Sequence, residues 1–161
     1  MFHSRILLAA AALASSAAFA GTADVKFTDP ANMADLATNR WEEPDTMRAL
    51  TNYLQQLAAR LPPDQVLHVD FLDVDLAGNW RDTPRGRVRT LRNRADPPKF
   101  HVRYSLESHG QVIRSGEARL TDLDYTNHVF LNNTSTPLYY EKRVLAEWFA
   151  QNFTPRMADS R

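Results

Sequence analysis

No cysteine occurs in the 161 residues. That excludes disulfide staples, a thiolate nucleophile and cysteine-ligated metal clusters. A lipoprotein anchor, which needs a cysteine just after its leader, is not expected either. The core alone must hold the fold, which a chain of this size can manage. Glycine is scarce at five residues, and neither a phosphate-cradling loop nor a Gly-x-Ser-x-Gly elbow is present. No charge sign dominates, since nineteen Lys and Arg face nineteen Asp and Glu. A balanced chain lacks the electrostatic footprint of a nucleic-acid binder, so no nucleic-acid partner is expected. Long apolar runs are missing beyond the first twenty residues, so no membrane span is expected in the mature chain.

The first twenty residues read as an address. His3 and Arg5 give a basic start, residues 6–14 are apolar, and Ala18-Phe19-Ala20 has the small-x-small form of a signal-peptidase site. Cleavage after Ala20 would release an exported, periplasmic or secreted chain beginning at Gly21. Residues 21–153 then form one domain, and 154–161 a loose tail.

Within that domain the longest strand-like run is 66–76. Leu67, Val69 and Phe71 share one phase of a period-two pattern, whereas Leu72, Val74 and Leu76 share the other. An unbroken strand cannot bury both sets, so a bulge is predicted near Phe71–Leu72. Residues 24–28 alternate as a short first strand. Glu42, Glu43, Pro44 and Asp45 supply acids and a helix-start proline before Met47, Leu50, Leu54, Leu57 and Leu61, the stripe of an amphipathic helix. Residues 100–106 and 112–120 alternate around Ser108-His109-Gly110 as a hairpin. Thr136-Pro137 looks like the cap and first turn of a second helix carrying Leu138, Val144, Leu145, Trp148 and Phe149. The sum is an α+β sandwich, order β-α-β-β-β-α, with two helices on one face of a mainly antiparallel sheet and a parallel crossover around the first helix.

Val25-Lys-Phe-Thr-Asp-Pro30, Leu72-Asp-Val-Asp-Leu-Ala-Gly78, Val88-Arg-Thr-Leu-Arg92 and Tyr140-Glu-Lys-Arg143 with Trp148-Phe149 occur in that order. Together they resemble an exported bacterial domain-of-unknown-function family, number three thousand and sixteen, over nearly all of the mature chain. The resemblance implies export but no activity, ligand or catalytic residue. It marks Asp73, Asp75, Gly78, Tyr140, Glu141, Lys142, Arg143, Trp148 and Phe149 as motif residues without a role.

Two clusters carry chemistry. Arg81, Arg85, Arg87, Arg89, Arg92 and Arg94 follow Trp80 with Asp82 the one acid among them. Arg85, Arg87 and Arg89 are two apart, so an extended arm would point all three one way, toward phosphates of lipopolysaccharide or an acidic envelope protein. The bland use is a solvated hairpin whose charges prevent sheet-to-sheet pairing. Asp70, Asp73 and Asp75 suit a hard cation or a metal-dependent or acid/base hydrolase. A calcium loop from Asp73 fails, however, because Ala77 and Pro84 occupy its fifth and twelfth places. His68, His101, His109 and His128 lack zinc-ligand spacing. Glu107 and Glu117 could form a carboxylate pair, but strand glutamates near Arg103 and Arg119 more simply face solvent. Tyr139 to Arg143 is either a helix edge or a docking face. The expectation is a non-catalytic binding or accessory module of the cell envelope, with no cofactor and no metal, and the Asp70/Asp73/Asp75 hydrolase as alternative.

Overall fold

Met47, Leu50, Leu54 and Leu57 of the leucine stripe lie on the helix it predicts, whereas Leu61 falls in the turn after it. The computed structural model describes residues 20–36, 43–128 and 137–154, except for the side chains of Trp80, Arg87, Asn93 and His128. Helix α1 spans Glu43–Ala58, with Glu43 and Asp45 in its first turn, and buries Leu50, Leu54, Leu57 and Ala58. Acids there complement the positive end of the helix dipole. Strand β1, Thr22–Phe27, precedes it and β2, Gln65–Asp75, follows. The two strands pair in parallel, with Phe27 opposite Phe71.

Beyond β2 come a hairpin of β3, Asn79–Thr83, and β4, Gly86–Thr90, and then the long pair β5, Lys99–Ser108, and β6, Gln111–Thr121. Helix α2 closes the fold at Tyr139–Phe153. The main sheet runs β1-β2-β5-β6 and is antiparallel except at β1–β2, while β3–β4 stands as a separate two-stranded sheet.

The phase conflict in β2 is resolved by the expected bulge. Phe71 opposes Val102 and Asp73 opposes His101, leaving Leu72 without a partner. Leu67, Val69 and Phe71 before the bulge and Val74 after it all enter one core with Phe100, Val102 and Leu106 of β5. Leu50, Leu54 and Leu57 of α1 and Val144, Leu145, Trp148 and Phe149 of α2 complete that core. Both helices thus cover one face of the sheet. Phe71 sits at its centre, stacked on Phe27 at 4.8 Å and edge-on to Phe100 at 5.5 Å.

Two further details differ from the sequence expectation. Helix α2 begins at Tyr139, and its cap is Leu138 in the left-handed region at φ 57°, so Pro137 lies in the preceding turn. Thr136 lies outside the described residues. Arg85 is in the β3–β4 turn rather than on a strand, so the arginine triplet does not form one extended row. The turn is closed by Thr83, whose hydroxyl donates to the Gly86 carbonyl at 2.5 Å.

Candidate functional site

The arginine run and the Tyr139–Arg143 motif lie far apart in sequence but converge in the fold. Strand β2 ends at Asp75, and Ala77 follows with both backbone groups outside the sheet ladder. The buried Glu141 of α2, 2% exposed, accepts the Ala77 N–H at 2.8 Å. Arg89 of β4 donates through Nε to the Ala77 carbonyl. Its guanidinium stands 4.0 Å from Glu141 and 3.6 Å from Asp35. Asp35 in turn accepts the Leu76 N–H at 2.7 Å. Burial raises the pKa of Asp35, against the lowering pull of that hydrogen bond and of Arg89.

A second knot lies one residue on. Gly78 adopts φ +80°, and a Cβ there would sit 2.6 Å from the Thr90 carbonyl oxygen, so glycine is required. Its N–H donates to the Asp96 carbonyl at 2.9 Å. The Asp96 carboxylate, 8% exposed, accepts the Arg92 N–H at 2.9 Å, Arg92 Nε at 3.2 Å, Asn79 Nδ2 at 3.0 Å and the Tyr125 hydroxyl at 3.1 Å. Burial works to raise the pKa of Asp96, yet these donors outweigh it and hold the group below its ordinary 3.8. Tyr125 is pushed up to about 12 by burial and by its bond to Asp96. The Tyr125 ring meets Tyr140 edge-on at 4.9 Å, which ties this knot to α2 as well.

The arginine run is therefore divided. Arg89 and Arg92 are held by internal carboxylates, and Arg94 pairs with Asp124 at 2.7 Å. Arg81 and Arg85 are exposed, with no described carboxylate within ion-pair distance. The side chains of Trp80 and Arg87 lie outside the described residues, though their backbones belong to β3 and β4. Beside the hairpin, Leu91, Leu138, Tyr139 and Tyr140 line a cleft of about 190 Å³ together with Arg89 and Glu141. Of the other motif residues, Lys142 stands over the Tyr53 ring at 5.8 Å and Arg143 pairs with Glu147 at 2.7 Å. Trp148 and Phe149 belong to the core.

The three aspartates of β2 are not brought to one point. Asp70 accepts the Thr28 hydroxyl at 2.8 Å and lies 3.9 Å from Arg103. Asp73 accepts the Ala34 N–H at 3.0 Å, and Asp75 accepts from Lys99 Nζ at 2.6 Å. Among the described residues no group of three or more His, Asp and Glu side chains is disposed to hold a metal ion. His68 lies between Asp24 and Glu107, His101 beside Glu117, and His109 beside Asp64.

The helix-free face of the sheet forms a cleft of about 590 Å³. Asp24, His68, Ser105 and Ser115 are register partners in one row across all four strands, and Lys26, Asp70, Arg103 and Glu117 in the next. Its Lys and Arg ion pairs lie at 3.7–3.9 Å and His68 lies 3.3 Å from Asp24, and such solvent-accessible pairs add little to stability. Asp35, Asp96 and Tyr125 carry the internal knots, yet no period or motif singles them out.

These features define a class: an open-faced α+β sandwich with a charged hairpin anchored from below by buried carboxylates. The model of a family described as "Protein of unknown function (DUF3016)" matches residues 21–151, and the chain belongs to that family. No curated protein and no solved structure matches it. Among the described residues, no helix is long and apolar enough to cross a membrane.

Proposed function

We propose that the protein is an exported binding module of the bacterial cell envelope, contacting an acidic or phosphate-bearing partner through the β3–β4 hairpin. One observation carries this reading. The inner arginines of the run hold the hairpin in place, which leaves Arg81 and Arg85 presented on a supported arm with no carboxylate partner among the described residues. Pre-organised arginine recognises carboxylate and phosphate at lower entropic cost than a flexible tail would. The separation of Asp70, Asp73 and Asp75 into individual pairs favours binding over the hydrolase alternative. Immobilised lipopolysaccharide tests the idea. Binding should weaken by at least about tenfold between 50 and 500 mM salt and be lost in Arg81→Glu/Arg85→Glu. Binding that the double reversal leaves unchanged would sink the proposal.

Export is supported by the packing around Gly21. Gly21 is buried, its N–H donates to the Leu61 carbonyl at 3.1 Å, and a Cβ on it would come within 2.6 Å of Leu61 Cβ. Cleavage after Ala20 would leave the new ammonium beside the carbonyls that end α1, where positive charge is favoured. Mass spectrometry of the protein recovered from periplasm should give a chain starting at Gly21. A periplasmic chain still carrying residues 1–20 would refute the cleavage site.

A further inference from the structure

Strand β6 is last in the sheet order, and among the described residues no strand pairs with its outer edge. It is eleven residues long and contains no proline. Of the five exposed large apolar residues among those described, three lie on it or just beyond: Val112 at 57%, Ile113 at 56% and Leu123 at 51%. A long edge of this kind is a template for another strand. We propose that it takes a second copy of itself, β6 pairing antiparallel with β6 about a two-fold axis at Ala118. The result is a continuous eight-stranded sheet with the helices of both copies on one side.

Charge chooses the axis. In a continuous sheet, residues directly opposed share a face. Ser115, Glu117 and Arg119 oppose Ser105, Arg103 and His101 on the helix-free face, so they must meet one another across the new junction. An axis at Glu117 sets glutamate against glutamate, and one at Arg119 sets arginine against arginine. An axis at Ala118 sets Glu117 against Arg119 of the second copy, twice over. That match suits a two-fold interface, where each patch must complement itself. Arg119 has no described carboxylate within ion-pair distance in its own chain. Glu117 is already bonded to His101 at 2.5 Å, lies 3.7 Å from Arg103 and feels the more distant Arg119 of its own chain, and it would gain the second copy's Arg119 directly opposite. In the same register Ser115 meets Thr121, while the exposed Ile113, left without a β5 partner by a bulge in β6, and the exposed Leu123 flank the paired stretch. On the helix side the centre is small, Ala118 against Ala118, which leaves room for the two α2 helices. The charges on this edge would thus select one register rather than forbid pairing.

Sedimentation equilibrium of the purified protein tests this, because the swap separates register from fold. The unaltered protein should dimerise at about 100 μM. E117R alone and R119E alone should each weaken the dimer by at least about tenfold, and E117R/R119E should restore it. Mere loss of the Glu117 bonds to His101 and Arg103 would not be repaired by the second change. Because the chain has no cysteine, S115C/T121C should give a disulfide-linked dimer on mild oxidation, whereas E117C alone should stay unlinked. A monomer at 100 μM, failure of the double swap, or crosslinking through E117C alone would each overturn the proposal.

Discussion

Replacing Asp96 by alanine is expected to lower folding stability by about 3–5 kcal/mol, the cost of stripping a buried charge cluster of one partner. Asp96 is 8% exposed, and its carboxylate accepts from the Arg92 N–H, Arg92 Nε, Asn79 and Tyr125. Alanine leaves the Tyr125 hydroxyl buried without an acceptor and releases Arg92 from the loop it closes. Urea unfolding of the purified protein measures the loss, and a cost under about 1 kcal/mol would mean that water replaces the carboxylate without penalty. The acid limb gives an independent readout. Because the folded pKa of Asp96 lies below 3.8, its contribution is fully present above pH 3.8 and disappears as pH falls through the depressed folded value. The variant should lose part of that acid dependence. Tyr125, at about 12 in the intact protein, should titrate closer to 10 once its charged neighbour is gone, visible as tyrosinate absorbance at lower pH.

None of this centre can be read from the chain, and the reason is physical. Periodicity reports faces that are buried over many residues, so β2, α1 and the β5–β6 hairpin are legible, and even the bulge at Leu72 appears as a change of phase. Asp96 sits in a loop before Pro97-Pro98, where no period exists. Its importance comes from four donors on three segments that only the fold brings together. The Arg81–Arg94 run is visible as charge, but its division is not, since apart from Asp96 the anchoring acids lie elsewhere: Asp35 before α1, Asp124 after β6 and Glu141 in α2. Thr136-Pro137 shows the opposite error. Two good local signals placed the start of α2 early, and a left-handed Leu138 moved it to Tyr139. Glu141 looked like part of a charged helix edge, yet it is nearly inaccessible.

That burial makes Glu141 the second position of large effect. Glu141→Leu should cost about 3–5 kcal/mol, because it leaves the Ala77 N–H unpaired and removes a buried carboxylate beside the half-buried Arg89. Glu141→Gln should cost less, since an amide oxygen can still accept from Ala77. Arg89 and Glu141 satisfy the two backbone groups of one residue, Ala77, at the point where β2 leaves its ladder. They therefore act as one unit and should not add. In a double-mutant cycle with Arg89→Met, the two single losses should exceed the double loss by about 0.5–3 kcal/mol. Additive losses would mean that the carboxylate serves Ala77 independently of Arg89. With coupling, the pair is what fixes the β3–β4 hairpin to the second helix. Amide exchange along residues 79–90 should then quicken in Glu141→Leu while the β5–β6 amides stay protected. An arm freed in this way would present Arg81 and Arg85 without a fixed geometry, so under the proposed binding role lipopolysaccharide affinity should fall although neither arginine is altered.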